Sequence, residues 1–414
     1  MASKTLMGDM PELMENILNN LNKEIYSLRS CALLFVESGA TLYELDLLNP
    51  IYEIAPDIFN LLEQNGQFFS RLQNLSLCLT SQFRINNVTT LLKILAKNTT
   101  KIRTLQLDAL QLDEFYFGHE PQLIPTIVYL IKSQEQLRKF HLFEDDDRMF
   151  AKPHSIIAAL EYQKQSLREI IIDKCDYYRA EFDVLMNCRN LEILRIINCD
   201  LKILKTTSLH KIKTLKTLEI IVNPVIDAPY IVEILKNSGI LLQRLKLESN
   251  KGIWEESLLL KTIKPFCPNI IYLNFSPINF STQLIELIGN LHQLQFLTLL
   301  CTRYCTFEKE FKLLIIQLAK ILPLKLQYLE LRGPWLNYYI YILLNNCNVP
   351  LKKLLINHLG NEENNIEALI EFCIRIKTLN YVGLGNYSYL DRNIKKEVEK
   401  YVALVPCERI IVDC

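Results

Sequence analysis

The sequence predicts an α/β repeat solenoid, a parallel sheet backed by helices, and three observations point to it. A nine-residue apolar pattern comes round four times between Leu167 and Asn250. The same three apolar positions then recur at a nearly even step along most of the 414 residues. Between them lie segments with apolar residues at three and four spacing, the period of a helix that buries one side.

The clearest copies read Leu167, Ile170, Ile172, Cys175; Leu191, Leu194, Ile196, Cys199; Leu215, Leu218, Ile220, Asn223; and Leu242, Leu245, Leu247, Asn250. Their starts are 24, 24 and 27 residues apart, the period of a unit made of one strand and a returning helix or turn. Alternate residues of a strand point to opposite faces, so the fourth and sixth positions share one inward face. The ninth residue should end the strand, Asn by bonding free backbone groups of the turn and Cys by filling the same small buried site. This is the leucine-rich-repeat signature.

The frame extends in both directions. Before the clearest stretch come Leu42/Leu45/Leu47, Leu72/Leu75/Leu77, Ile102/Leu105/Leu107 and Leu137/Phe140/Leu142. After it come Ile270/Leu273/Phe275, Leu294/Leu297/Leu299, Leu326/Leu329/Leu331, Leu351/Leu354/Ile356 and Leu379/Val382/Leu384. Thirteen units at a mean step of about 28 residues imply one elongated body, a horseshoe over residues 40–414. A weaker copy, Glu408 to Val412, reads as a closing strand.

Helices are expected between strands at Val88–Lys97, Ile127–Lys132, Ile231–Lys236, Leu284–Ile288, Phe311–Ile321 and Ile366–Phe372. Two steps are long. Ile102 to Leu137 holds Phe115, Tyr116, Phe117 and His119, and Leu294 to Leu326 holds Arg303 and Tyr304. Each reads either as a binding loop at the rim or as a longer helix.

Residues 1–39 do not follow the repeat rhythm. Pro11 suits the first turn of a helix, Glu12 complements its dipole, and Leu13, Met14, Ile17, Leu18 and Leu21 share one face. A second helix follows through Ile25, Leu28 and Ala32. The run Met10-Pro11-Glu12-Leu13-Met14-Glu15-Asn16-Ile17-Leu18-Asn19-Asn20-Leu21, then Leu28-Arg29-Ser30-Cys31-Ala32-Leu33, resembles the front half of an F-box. F-box followed by leucine-rich repeats is a known family, much expanded in fungi. The resemblance implies a substrate-recognition subunit of an SCF-type ubiquitin ligase. Met10, Pro11, Leu13, Ile17, Leu18, Leu21, Leu28 and Cys31 would face the SCF adaptor, and the repeats would hold a client protein. The family pattern continues to a third helix bearing Val, a basic residue and Trp. This chain has Leu34-Phe35-Val36-Glu37-Ser38-Gly39 there, so the box is truncated. The alternative is a stand-alone protein-binding scaffold with an F-box remnant, the two helices capping the first repeat.

Composition narrows the function. Lysine plus arginine equals aspartate plus glutamate at 46 each, which gives no bulk attraction to nucleic acid or an anionic membrane. No apolar run reaches transmembrane length, and the first ten residues lack the apolar core of a signal peptide, so a cytoplasmic or nuclear, non-secreted protein is expected. The twelve cysteines then read as reduced and mostly buried. Cys301, Cys305 and His292 lack the further ligands of a zinc site, and Glu144-Asp145-Asp146-Asp147 lacks EF-hand spacing, so no metal or cofactor is expected. No phosphate loop, H-E-x-x-H or nucleophile elbow is present, and a non-enzyme is the reading.

Positions three, five and seven of each unit should line the concave face. Position three turns aromatic in the second half, where Tyr272, Phe296 and Tyr328 should form a ladder flanked by Arg244, Lys246, Glu330 and Arg332. Those seven residues are the expected client-binding surface, since aromatics and arginine dominate interface energy. The alternative is that the stacked rings serve only the sheet. Ile171, Ile193, Ile197 and Ile221 form a second candidate patch on the same face.

Overall fold

The apolar frame is the core. In a computed structural model, which describes residues 41–47, 60, 62–78, 85–108, 122–143, 154–174, 182–199, 212–303, 308–360, 362–385 and 387–409, the three apolar positions of all thirteen units are buried. None is more than 7 % exposed. Each side chain so withdrawn from water contributes roughly 1.5–3 kcal/mol to folding. Residues 1–39, and with them Met10, Pro11, Leu13, Ile17, Leu18, Leu21, Leu28 and Cys31, lie outside the described residues. So do Phe115 to His119, Glu144 to Asp147, and Tyr304.

Two compact units divide between Thr214 and Leu215. The first holds strands β1 (Glu44–Leu47), β2 (Asn74–Cys78), β3 (Thr104–Asp108), β4 (Lys139–Phe143), β5 (Glu169–Asp173) and β6 (Ile193–Ile197), parallel and paired in chain order. Helices α1 (Ile85–Asn98), α2 (Leu123–Ser133) and α3 (His154–Ala159) return the chain between strands.

The second unit holds β7 (Thr217–Val222), β9 (Arg244–Ser249), β11 (Tyr272–Asn279), β12 (Phe296–Arg303), β13 (Tyr328–Arg332), β14 (Lys353–Ile356), β15 (Tyr381–Leu384) and β16 (Ala403–Pro406), again parallel neighbours. Beyond the strand ends, β8 (Ile226–Asp227) and β10 (Ile253–Trp254) pair as a two-stranded ribbon. Its helices are α4 (Ala228–Ser238), α5 (Glu256–Phe266), α6 (Thr282–Asn290), α7 (Glu308–Ile321), α8 (Leu336–Asn346), α9 (Glu363–Arg375) and α10 (Arg392–Val398). Each expected helical segment lies in one of these helices. In the second unit the shortest step carries the shortest repeat helix and the longest step the longest: nine residues in α6 between Ile270 and Leu294, fourteen in α7 between Leu294 and Leu326. The extra residues of that longer step therefore go largely into helix.

Two expectations need correction. The last strand among the described residues is β16, where Val402 and Leu404 pack; Glu408 and Arg409, expected to begin a closing strand, lie instead in a 3₁₀ turn with Cys407, and Ile410 to Val412 lie outside the described residues. Asn223 and Asn250 do not close their turns from inside, for both are exposed. β7 and β9 run six residues where β5 and β6 run five, so the alternation buries Val222 and Ser249 and leaves the Asn that follows each on the outside. Ser249 takes the role instead: its buried hydroxyl accepts from the Gly252 N–H at 2.9 Å and donates to the Gly252 carbonyl at 2.8 Å. Gly252 has φ +93°, a left-handed conformation that glycine adopts without steric cost. Cys199 behaves as expected, buried with its thiol 3.2 Å from the Ile197 carbonyl.

Successive repeats of the first unit are sewn together by buried amides. Gln134 accepts from the Ile102 N–H at 3.0 Å and donates to the Thr99 and Leu130 carbonyls, each at 3.0 Å. Gln163 repeats the device one unit later, accepting from Leu137 N–H at 3.3 Å and donating to the Ile131 and Gln134 carbonyls at 2.9 and 2.6 Å. Both satisfy backbone groups left over where a helix ends and a strand begins, groups that are costly to bury alone. Replacing Gln163 with Met removes all three partners at once and should cost about 2–4 kcal/mol in urea unfolding. The same change at exposed Gln165 should cost under about 0.5 kcal/mol.

Candidate functional site

Strand alternation sends every second side chain away from the core, and parallel register lines these side chains up across strands. In the second unit one such row runs Thr217, Arg244, Tyr272, Phe296, Tyr328, Lys353, Tyr381, Ala403. Two residues further along each strand, the next row runs Glu219, Lys246, Asn274, Thr298, Glu330, Leu355. All seven expected client-binding residues therefore lie on one face of four adjacent strands, β9 and β11–β13.

The rings form a continuous ladder. Tyr272 and Phe296 have centroids 6.5 Å apart, and Phe296 and Tyr328 6.1 Å apart, both tilted. The Arg244 guanidinium caps one end, 3.7 Å from the Tyr272 ring centre, while its Nε donates to Glu219 at 2.5 Å. A cation over an aromatic face and an ion pair in a half-buried site hold Arg244 from two sides.

Glu330 anchors the other end. Its carboxylate accepts from the Tyr328 hydroxyl at 2.9 Å, the Thr298 hydroxyl at 3.1 Å and Arg332 Nε at 2.7 Å. Burial, then the Glu330 charge, pushes the Tyr328 hydroxyl well above the usual tyrosine range. For Arg332, burial works to lower the pKa and the Glu330 carboxylate outweighs it, so the guanidinium stays charged. Lys246 reaches Glu248 at 3.4 Å. Between the two ends Asn274 is buried, its Nδ2 3.4 Å from the Tyr272 hydroxyl and its Oδ1 without a partner.

This packing changes what a partner would touch. Tyr272 and Tyr328 are only 8 % and 4 % exposed, so two rungs are largely covered by their neighbours. The accessible groups are the half-exposed Phe296, Lys246, Arg332 and Lys353, together with Tyr381, 43 % exposed because Ala403 follows it in the row. That small neighbour leaves an open depression of about 740 Å³ between Tyr381 and Tyr401, with Glu399 and Lys400 at its rim. Glu219, Asn274 and Thr298 were not singled out from the sequence. Reading position five across successive units, rather than along one strand, would have found them.

The isoleucine candidates reach the free face and are half-exposed. Ile171 lies beside Arg195, Ile193 beside Glu169, Ile197 beside Asp173, and Ile221 beside Glu248. Among the described residues no cluster of three or more His, Cys, Asp or Glu side chains is placed to hold a metal ion, and no helix is long and apolar enough to cross a membrane. Burial pushes the thiols of Cys188, Cys267 and Cys373 up to about 12, which leaves them poor nucleophiles.

No protein-family model matches the chain, and no curated protein matches it. Among solved structures, the yeast Rad7 and Elc1 complex is similar at 14 % identity and a TM-score of 0.43, over 96 % of this chain and 87 % of that one. The leucine-rich-repeat-containing protein LegL7 from Legionella pneumophila is similar at 13 % identity and a TM-score of 0.38, over 67 % of this chain and 86 % of that one.

Glu330 is the keystone of the polar end, and its removal strands three donors at once. Glu330→Ala should destabilise the protein by about 2–3 kcal/mol in urea unfolding. Glu248→Ala, which removes one longer and more exposed pair, should cost no more than about 1 kcal/mol.

Proposed function

We propose that this chain is a non-catalytic protein-binding subunit, and that it serves as the substrate-recognition subunit of an SCF-type E3 ubiquitin ligase. The face of β9 and β11–β13 holds the client. The observation that carries the reading is the aromatic and arginine row on that face, fixed by its own ion pairs before any partner arrives. Pre-ordered side chains lose little entropy on binding, and aromatic and arginine anchors contribute most of the energy of a protein interface.

The ligase part of the proposal rests on the F-box-like run from Met10 to Leu33, with Met10, Pro11, Leu13, Ile17, Leu18, Leu21, Leu28 and Cys31 facing the adaptor. The work is cytoplasmic or nuclear, where that machinery operates. A stand-alone scaffold is the second reading, favoured by Leu34 to Gly39, which departs from the rest of the box.

The purified full-length chain should bind the SCF adaptor with a Kd of about 1 μM or tighter. Ile17→Asp with Leu21→Asp should abolish this, and absence of binding by the parent chain would leave the scaffold reading. For the client face, serine at Tyr272, Phe296 and Tyr328 together would also remove two covered rings that the sheet itself uses. Phe296→Asp with Arg332→Glu is the sharper probe. It should lower client capture by about a hundredfold with an unchanged far-ultraviolet circular dichroism spectrum, and unchanged capture would move the site elsewhere.

A further inference from the structure

The first unit carries its charge unevenly along the strand axis. One residue ahead of the strands, the backbone ladder continues: Arg103 N–H donates to the Gln73 carbonyl, Arg138 to Arg103, and Arg168 to Arg138, at 2.7, 2.8 and 2.8 Å. Three arginines therefore enter β3, β4 and β5 side by side, about one sheet spacing of 4.8 Å apart. Arg71 and Lys101 occupy equivalent places just before Leu72 and Ile102.

Partners for this row are few. Arg168 reaches Glu192 at 3.4 Å, and the neighbouring Lys139 reaches Glu169 at 2.9 Å. Arg71, Lys101, Arg103 and Arg138 are all exposed and make no ion pair among the described residues. Asp108 and Asp173 lie at the opposite end, as the last residues of β3 and β5. Five residues of strand separate the two ends by about 16 Å, roughly two Debye lengths at physiological salt. The chain is neutral as a whole, yet this edge presents a local positive field.

We infer that the strand-entry edge of the first unit, centred on Arg71, Lys101, Arg103 and Arg138, docks an extended acidic peptide segment of a partner protein. Charge complementarity argues for an anion, and the surroundings argue for a peptide. Glu135, Glu169 and Glu192 flank the row closely, so a broad polyanion such as duplex nucleic acid would meet carboxylates on both sides. The side chains interleaved with the bases include the amides Gln73, Gln136 and Gln165, which bond peptide groups, and Tyr43 at the end of the row, tied by its hydroxyl to Gln73 at 3.3 Å, gives one ring rather than the series on which successive nucleobases stack. Carboxylates on alternate residues of an extended peptide share one side, so a single strand can present them to the arginines as a row.

The test uses fluorescence anisotropy of the full-length chain with a labelled twelve-residue peptide of alternating Glu and Ser, beside an oligothymidylate of equal charge. The peptide should bind saturably at about 50 mM salt and lose roughly tenfold in affinity by about 200 mM. Arg103→Glu with Arg138→Glu should weaken binding more than tenfold, while Lys261→Glu with Lys264→Glu, the same charge change on the exposed side of α5, should leave it unchanged. Should the double reversal fail to fold, Arg103→Gln and Arg138→Gln singly should each weaken binding severalfold. No saturable binding at low salt, tighter binding of the oligothymidylate, or an equal loss in Lys261→Glu with Lys264→Glu would each overturn the inference.

Discussion

Lateral pairing of parallel strands at a single register is the constraint on which the rest depends. Each strand buries its fourth and sixth positions, and because side chains alternate, a slip of one residue would carry both into water. Ile170 and Ile172 of β5, fully buried, would exchange places with the half-exposed Glu169, Ile171 and Asp173. The cost of that exchange fixes the register, and the register in turn decides which residues of different repeats become neighbours. Between β11 and β12 the register shifts only late, between Phe275 and Ile278 and again between Ile278 and Asn279, beyond both rows of the candidate site.

The free face inherits its chemistry from that alignment. Along the chain, Glu219, Arg244 and Tyr272 are far apart; across the sheet they form an acid, base and ring in contact. Isolated buried charges would be unfavourable, and each charge here has its counterpart on the next strand or two residues along its own. Ion pairs of this kind add little net stability, but they hold side chains in place, which is what a binding surface requires. In the first unit exposed bases outnumber acids at the strand entries, and Asp108 and Asp173 end β3 and β5. The two units therefore carry different charge patterns on one repeat pattern.

The fold was legible because its cause is periodic. The leucine positions mark every repeat strand from β1 to β15, since burial acts on each repeat in the same way. Irregular events were less legible. Helix α8 is apolar around most of its surface, so Leu336 to Asn346 shows no three-and-four contrast, and α5 carries Pro265 within its last turn. Asn223 and Asn250 match the signature by type and miss it by place, because two strands run one residue long. The site was half legible: the row of Arg244, Tyr272, Phe296 and Tyr328 follows from position three alone. The covering of Tyr272 and Tyr328, and the part played by Glu219 and Thr298, depend on neighbours that only the register supplies. Residues 1–39 carry the family resemblance and lie outside the described residues, so the adaptor assignment rests on sequence.

The most direct measurement is a cross-link between neighbouring rungs. Tyr272→Cys with Phe296→Cys places two thiols in lateral register on β11 and β12, with Cα atoms about 4.8 Å apart. That is within disulfide reach, whereas Tyr272→Cys with Thr298→Cys sets them roughly 8 Å apart, beyond the limit of about 7 Å. Mild oxidation followed by peptide mass mapping should find the first disulfide formed and the second absent. The reverse pattern, or equal yields, would contradict the alignment that assembles the binding face.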